Sequence, residues 1–339
     1  MNKEKKDLLV TMADANFVNQ AKQLFSSVYF NAGWKGDYLL LTCGISKSDS
    51  TWFRDKGILV YDQPLLSDLP LGVKNYHPIM LSKFYLFREY FKKWRKVIYL
   101  DADIIVRGSL DKLLETNGFS APNASTFRLR NEFISDKLRN YEIRKKYNLS
   151  RRAFCAGILV FDSSLICEDT FNELLDLYNK FKDLYQFSEE STLNLYFYKK
   201  WKMLPLVYNF APWSLGKFYG IKPDDSLAVI IHFVCVKVKP WEKNSVYHRE
   251  WFDNLKKAEE IDLSYRPGAA KELGNIQIYK YLFYLRLRGL VYPVIKRCNY
   301  INQAIYQFIN CQIGLLGIYI KKKNLKLYER LIKFKKLLF

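Results

Sequence analysis

Histidines and paired cysteines are scarce in this chain. The 339 residues include three histidines and six cysteines, and no two cysteines form a Cys-x-x-Cys pair. Zinc fingers need such pairs at fixed spacing, so the sequence excludes them. Scattered single cysteines are typical of free thiols in a reducing compartment.

Long apolar segments are also missing. No uncharged run of about twenty residues is strongly apolar, as a membrane-spanning helix requires. The uncharged segment 301–320 contains five amide side chains, so we expect it to be interfacial or packed rather than spanning; they are Asn302, Gln303, Gln307, Asn310 and Gln312. The segment Met1–Asp7 is mostly charged and leads directly into a strand-like run, so we expect no secretion signal. The sequence therefore predicts a cytoplasmic protein without a transmembrane helix.

Acidic residues are rare in the C-terminal part of the chain. Residues 276–339 contain thirteen Lys or Arg and one acid, Glu329, and so carry +12 of the net charge of +20. On a helix over 324–339, one face is apolar and comprises Leu327, Tyr328, Leu331, Phe334 and Leu338. The opposite face comprises Lys326, Glu329, Arg330, Lys333 and Lys336. Basic amphipathic helices of this kind lie in membrane interfaces and meet anionic headgroups.

This pattern leads us to predict that 251–339 is a basic amphipathic helical tail. We expect it to hold the protein peripherally on the inner face of the cell membrane, against an anionic lipid surface. The alternative is a helical cap whose charged face is solvated.

Residues 1–250 alternate short apolar runs with helix-like segments, and we expect them to form one catalytic domain. Strand-like runs cover 7–12, 38–42, 57–61, 97–100, 153–161 and 227–233. Helix-like segments cover 17–29, 48–54, 79–91, 170–181 and 189–198. This alternation predicts an α/β fold with a mostly parallel sheet flanked by helices. Ligands of such sheets bind beyond the carboxyl ends of the strands.

Two carboxylates, Asp101 and Asp103, follow the apolar run 97–100. Burial of two carboxylates is unfavourable unless a cation compensates their charge, and a divalent cation with oxygen ligands is the usual partner. Asp-x-Asp is short and common, so the local sequence also allows a solvated surface loop. Asp14 and His232 stand at the ends of two other strand-like runs, which favours a shared site at one edge of the sheet.

Six short motifs in a fixed order carry a resemblance to a known family. They are Ala13-Asp14-x-Asn16-Phe17, Ser82-Lys83-Phe84, Tyr99-Leu100-Asp101-Ala102-Asp103, Phe154-Cys155-Ala156-Gly157-Ile158-Leu159-Val160, Glu189-Glu190-Ser191-Thr192-Leu193-Asn194, and His232-Phe233 with Lys239-Pro240-Trp241. Over about residues 7–245 the chain resembles the family 8 glycosyltransferases, which include glycogenin and bacterial galactosyl- and glucosyltransferases of lipopolysaccharide synthesis. The resemblance implies a glycosyltransferase-A-type nucleotide-sugar fold, a UDP-sugar donor, Mn²⁺ or Mg²⁺, and retention of anomeric configuration.

The resemblance also implies roles for individual residues. The metal ligands would be Asp101, Asp103 and His232. The donor-binding residues would be Ala13, Asp14, Asn16, Phe17, Lys83, Ala102, Ala156 and Lys239. The acids Glu189 and Glu190 would line the sugar pocket, and the catalytic residues would be Glu190, Glu189 and Asp103. These residue types suit the chemistry, because a divalent cation and a lysine stabilise the leaving diphosphate without proton transfer.

Three departures from the family pattern lie in the same motifs. Cys155 stands where the family often has Asn, and Glu190 stands where it usually has Gln. A carboxylate at Glu190 would be able to act as a covalent nucleophile or to stabilise an oxocarbenium-like centre, whereas front-face transfer without a protein nucleophile is the default. The loop from His232 to Lys239 is one residue longer than the family's His-x-x-Gly-x-x-Lys-Pro-Trp and lacks its glycine.

These features together predict a metal-dependent retaining glycosyltransferase. It would move a hexose, galactose or glucose, from a UDP-sugar to a glycan or a lipid-linked acceptor such as a lipopolysaccharide core. The alternatives are a catalytically silent relative that serves as a scaffold and a basic nucleic-acid-binding protein. The sequence has no ribonucleoprotein motif, zinc finger or helix-turn-helix, so we expect no nucleic-acid partner.

Overall fold

A computed structural model describes residues 5–68, 71, 76–124, 128–140, 142–222 and 226–323. The strands in these ranges are β1 (Leu8–Ala13), β2 (Asp37–Thr42), β3 (Leu59–Asp62), β4 (Lys96–Leu100), β5 (Ile104–Val106), β6 (Phe119–Ala121), β7 (Ile158–Asp162), β8 (Trp201–Met203) and β9 (Ile230–His232). The α-helices are α1 (Val18–Ser27), α2 (Lys47–Asp55), α3 (Asp111–Leu114), α4 (Ile143–Lys146), α5 (Thr170–Phe181), α6 (Ser188–Tyr196), α7 (Pro212–Ser214), α8 (His248–Lys257) and α9 (Asn275–Lys323).

Seven of the strands form one sheet in the order β3-β2-β1-β4-β7-β6-β8. The pairs β3–β2, β2–β1, β1–β4 and β6–β8 are parallel, whereas β7 runs antiparallel to β4 and to β6. The structure therefore confirms the predicted mostly parallel sheet. The two remaining strands, β5 and β9, form a separate antiparallel pair in which Ile104 lies opposite His232.

The central strands are buried along their whole length. Every residue of β1 and β4 is buried, as expected for strands that are covered on both faces of a sheet. On one face, alternate residues such as Val10 and Tyr99 join a core that also contains side chains from 78–87, α5 and α6. On the other side α1 contacts β1 and packs against α8.

One predicted helix takes a different form. The segment predicted as a helix over 79–91 consists of two 3₁₀ segments, Pro78–Phe87 and Glu89–Lys93. Nine of the ten residues of Pro78–Phe87 are buried, so the segment has no polar face of the kind that a surface helix presents. Packing of its aromatic rings against the core overrides local helix propensity here.

The chain divides into two compact units. The first comprises Met1–Gly216 and Ile221–Leu282, and the second comprises Lys217–Gly220 and Phe283–Phe339. The predicted division after residue 250 falls inside α8, whereas the first unit continues to Leu282. Within the second unit, the Arg288 guanidinium donates to the carbonyl oxygens of Tyr219 and Gly220 at 3.0 Å each.

The predicted membrane helix over 324–339 lies outside the described residues. Among the described residues, no helix combines the length and the apolar character that a membrane crossing requires.

A buried ion pair stabilises the β4–β7 pairing that ends at the candidate site. The Lys96 ammonium is buried and lies 2.5 Å from Asp162 Oδ1. Because Asp162→Ala would leave this buried cation with the Thr116 carbonyl oxygen but without its carboxylate, we expect the free energy of unfolding to fall by about 3 kcal/mol. Urea unfolding measures the change. The exposed Asp55→Ala is the control and should change stability by less than about 0.5 kcal/mol; equal losses in both variants would contradict the prediction.

Candidate active site

Strand ends bring together the three predicted metal ligands. Asp101 and Asp103 lie in the turn between β4 and β5, and the pairing of β5 with β9 delivers His232 to the same place. His232 Nε2 lies 3.3 Å from Asp103 Oδ1 and 3.8 Å from Asp101 Oδ2. One ligand atom from each residue lies within 4.8 Å of the other two. The structure thus places two carboxylates and one imidazole around a common point.

Gly157 makes this approach of side chains sterically possible. Its carbonyl oxygen accepts a 2.8 Å hydrogen bond from the Asp101 backbone N–H. A Cβ at this position would lie 2.3 Å from His232 Cε1 and 2.8 Å from Asp101 Oδ2. Real Cβ atoms do not come so close to other atoms, so any larger residue would displace the cluster.

The chemistry of these three side chains fits a divalent cation. Burial by itself raises the pKa of Asp103, but the His232 ring and the Lys239 ammonium outweigh burial and lower it below the usual range. The carboxyl is therefore ionised at neutral pH. Carboxylate oxygens suit Mg²⁺ and Mn²⁺, and the imidazole shifts the preference towards Mn²⁺. Asp101, Asp103 and His232 are thus the residues that would hold the ion.

Two lysines hold the outer oxygens of the carboxylates. Lys239 donates to Asp103 Oδ2 at 2.7 Å and to the Phe233 carbonyl oxygen at 2.8 Å. The buried Lys83 ammonium lies 3.1 Å from Asp101 Oδ1 and 3.1 Å from Glu189 Oε1. Lys83 therefore links the metal-type cluster to the predicted sugar-side acids.

The N-terminal turn of α6 carries both of those acids. Glu190 Oε2 accepts a 2.8 Å hydrogen bond from the Ala156 backbone N–H. Burial raises the pKa of Glu190 to about 7, although the Ala156 hydrogen bond and Lys83 act in the opposite direction. Asn194, one turn later on α6, accepts from the Phe154 N–H at 2.8 Å and donates to its carbonyl oxygen at 2.9 Å. The helix is thereby fixed to the segment that precedes β7.

The remaining predicted donor-binding residues lie at the ends of β1 and β4. Those at the end of β1 are Ala13, Asp14, Asn16 and Phe17. The Asn16 backbone N–H donates to Asp14 Oδ1 at 2.9 Å, and the Phe17 ring packs edge-on against Trp241 with 6.0 Å between ring centroids. The Trp241 ring centroid lies 5.8 Å from Lys239 Nζ, so these contacts lead from the β1 end towards Asp103. Ala102 is buried in the turn after β4.

Two of the departures from the family pattern have a clear structural setting. In the loop that lacks the family's glycine, Cys235 adopts φ 57°, the left-handed conformation that glycine favours. Lys239 still reaches Asp103 although the loop is one residue longer. Cys155 is buried, and burial raises the pKa of its thiol.

Sequence reasoning assigned no role to two residues that touch the ligands. The Tyr99 hydroxyl donates to Asp101 Oδ1 at 2.6 Å; the signal was available, because residues two apart on a strand share a face. Asn209 Oδ1 lies 3.0 Å from His232 Nδ1. Asn209 is 23 residues from His232 and lies in an irregular segment, so no sequence pattern points to it.

Solved structures with a similar fold include glycosyltransferases. The galactosyltransferase LgtC in complex with donor and acceptor sugar analogues matches with a TM-score of 0.60 and 20% identity, and the match covers 74% of this chain and 95% of that chain. An identity this low shows the fold alone. The fold is the predicted glycosyltransferase-A type.

Curated relatives resemble about half of this chain. Glycosyltransferase GlyB of Streptococcus pneumoniae is 28% identical over 181 residues, which cover 49% of this chain and 40% of GlyB. Galactinol synthase 5 of Arabidopsis thaliana is 27% identical over 184 residues, which cover 49% of this chain and 52% of that protein. The matched part therefore spans only about half, or less, of the length of these relatives.

The family profile covers more of the chain than any of these pairwise matches to relatives. Residues 13–245 match the family described as Glycosyl transferase family 8. The match includes the β1 end, the Asp101–Asp103 turn, both α6 acids and the loop to Lys239, and it covers more than half of the chain. The chain belongs to glycosyltransferase family 8.

Proposed function

We propose that this protein is a metal-dependent retaining glycosyltransferase that takes galactose or glucose from a UDP-sugar. The observation that carries the proposal is the convergence of Asp101, Asp103 and His232 within 4.8 Å, with Lys239 bonded to one of the carboxylates. A family of glycosyl transfer enzymes, and a neighbour solved with donor and acceptor sugar analogues, support a nucleotide-sugar ligand.

The site residues suit departure of a diphosphate. A divalent cation held by Asp101, Asp103 and His232 would stabilise the negative charge that develops on the leaving group. The Lys239 ammonium adds a positive charge on the outer side of Asp103. Because Asp103 is ionised, it holds charge rather than a proton, and we assign neither of these carboxylates the role of general acid.

The α6 acids support a role at the sugar. Glu189 forms an ion pair with Lys83, whereas Glu190 accepts a hydrogen bond from the Ala156 backbone and has a pKa of about 7. At a pH above that value Glu190 is a half-buried carboxylate that would be able to stabilise positive charge at the anomeric carbon or to attack it. Transfer without a protein nucleophile is the alternative for this step.

The surface of the second unit supports the proposal that the acceptor is at a membrane. That acceptor would be a glycan or a lipid-linked saccharide such as a lipopolysaccharide core. Along α9 the apolar side chains of Leu290, Val294 and Tyr300 are exposed to 73%, 61% and 73%. Arg286, Arg288, Lys296 and Arg297 are interspersed among them. Apolar groups with flanking cations fit an anionic lipid surface. We propose peripheral association with the inner face of the cell membrane.

Hydrolysis of UDP-sugars tests the donor and the metal together. We expect the purified protein to release UDP from UDP-galactose or UDP-glucose when Mn²⁺ is present and to stop when the ion is chelated. Transfer to candidate acceptors would then be measured with the preferred donor, and the anomeric configuration of the product read by NMR. The proposal would be contradicted if the purified protein bound no UDP-sugar either with or without Mn²⁺ or Mg²⁺.

Asp103→Asn should abolish the metal-dependent reaction while the fold is kept. The substitution removes one ligand charge and weakens the Lys239 contact. We therefore expect the rate of UDP release to fall at least about 100-fold, which is more than the loss of roughly 10–100-fold that follows when a residue bonded to a metal ligand is changed. Circular dichroism checks the fold, and Asp55→Asn on the exposed end of α2 is the matched control. Full Mn²⁺-dependent activity in Asp103→Asn would rule out this site.

Glu190→Gln should change the dependence of stability on pH. Because burial raises the folded-state pKa of Glu190 from 4.5 to about 7, its ionisation opposes folding as the pH rises through that interval. The charged groups that face it are Glu189, Lys83 and Asp101. Relative to wild type, Glu190→Gln should therefore be more stable at pH 8 and equally stable at pH 4, as measured by urea unfolding of metal-free protein. The exposed Glu168→Gln should show no such difference.

Turnover of the same variant tests whether Glu190 is needed as a nucleophile. A carboxylate nucleophile requires that Glu190→Gln lose nearly all transfer and that the wild-type rate fall as the pH drops below about 7. Wild-type turnover in Glu190→Gln would exclude the nucleophile and favour front-face transfer without one.

The membrane proposal predicts that acidic residues on α9 prevent lipid binding. A double variant, Leu290→Glu with Val294→Glu, should lose sedimentation with phosphatidylserine vesicles by at least about tenfold, since each buried aliphatic side chain contributes about 1.5–3 kcal/mol. The control, Met203→Glu with Val246→Glu, places the same charges at exposed apolar positions of the first unit. Equal binding by both double variants would contradict the proposal.

A further inference from the structure

We propose that Asn209 is a positioning residue that holds the His232 ring with Nε2 available to a metal ion. The inference rests on the metal site proposed above. Asn209 Oδ1 lies 3.0 Å from His232 Nδ1, and both side chains are buried. The other ring nitrogen, Nε2, is the one that faces Asp103 at 3.3 Å and Asp101 at 3.8 Å.

Backbone hydrogen bonds fix Asn209 relative to β9. The Asn209 N–H donates to the Leu206 carbonyl oxygen at 3.0 Å. The next residue, Phe210, pairs with β9: its N–H donates to Ile230 at 3.0 Å and its carbonyl oxygen accepts from the His232 N–H at 2.9 Å. The backbones of Asn209 and His232 therefore belong to the same hydrogen-bonded framework, which fixes the distance between the two residues.

This contact selects one form of the imidazole. A carbonyl oxygen only accepts hydrogen bonds, so Asn209 Oδ1 requires a proton on Nδ1, and the neutral ring then keeps its lone pair on Nε2. In the other neutral tautomer Nε2–H would donate to Asp103, which places a proton where a metal would bind. Without Asn209 that second form is favoured by the two carboxylates. Asn209 thus disfavours the hydrogen bond from Nε2–H to Asp103 that would occupy the metal-binding nitrogen.

The two carboxylates show the same arrangement. Tyr99 and Lys83 bond to Asp101 Oδ1, which leaves Oδ2 directed at His232. Lys239 bonds to Asp103 Oδ2, which leaves Oδ1 directed at His232. In each predicted ligand, the polar atom that points away from the common point is therefore bonded to a residue that is not a ligand. For His232 that atom is Nδ1, and its partner is Asn209. Outer-shell partners of this kind orient metal ligands and determine their tautomers.

Binding of MnCl₂ to the full-length protein, without any donor, tests the inference. Isothermal titration calorimetry should show Asn209→Leu binding Mn²⁺ about 10–100-fold more weakly than wild type. Asn209→Asp keeps an acceptor oxygen towards Nδ1 and should bind within about threefold of wild type, which a purely structural need for the amide would not allow. Wild-type affinity in Asn209→Leu would overturn the inference.

The tautomer of His232 is a second readout that needs no variant of Asn209. In metal-free protein with ¹⁵N-labelled histidine, NMR should show a proton on His232 Nδ1, with the signal assigned by its absence in His232→Gln. A proton on Nε2 alone would overturn the inference even if Asn209→Leu fails to fold. If wild type binds no Mn²⁺, the proposed metal site fails, and the tautomer still decides the role of Asn209.

Discussion

The charge balance between carboxylates and lysines at one end of the sheet governs the rest of the site. Asp101, Asp103 and Glu189 bring three carboxylates together, and the structure sets Lys83 and Lys239 against them. Three carboxylates against two ammonium groups leave an excess of negative charge in a largely buried place. A dication would reverse that excess, whereas a third lysine would fill the space that a ligand needs. Partial compensation by the protein is therefore what a site for a metal and an anionic donor requires.

Two different sheets are needed to build this balance. In the large, mostly parallel sheet, β1 and β4 run in parallel and end at the same edge. This brings Asp14 and Asp101 to one side of the sheet. Parallel strands alone do not deliver His232, which comes from far along the chain on β9 and reaches the site through antiparallel pairing with β5. The small sheet thus fixes the distance between the histidine and the carboxylates, and Gly157 keeps the space between them open.

Strands whose apolar runs are continuous were predictable from sequence, and so were the residues at their ends. Buried runs such as 97–100 have a clear hydrophobic signal, and the carboxylates that follow are conspicuous for that reason. The short strands β6 and β8 have three residues each, too few for any periodicity to show. The 3₁₀ form of Pro78–Phe87 depends on packing from all sides, which no local pattern records. Contacts such as that between Asn209 and His232 depend on tertiary structure alone.

The altered loop after His232 bears on whether the chain is a silent relative. Cys235 adopts the left-handed region, where a non-glycine residue costs roughly 1–2 kcal/mol. A loop free of function would be expected to relax this strain, since one extra residue gives it the freedom to do so. Instead the loop keeps the strained turn and brings Lys239 to Asp103 at 2.7 Å. Strain that persists together with a contact to a ligand carboxylate favours a working site over a scaffold, because such strain survives where the surroundings fix the geometry.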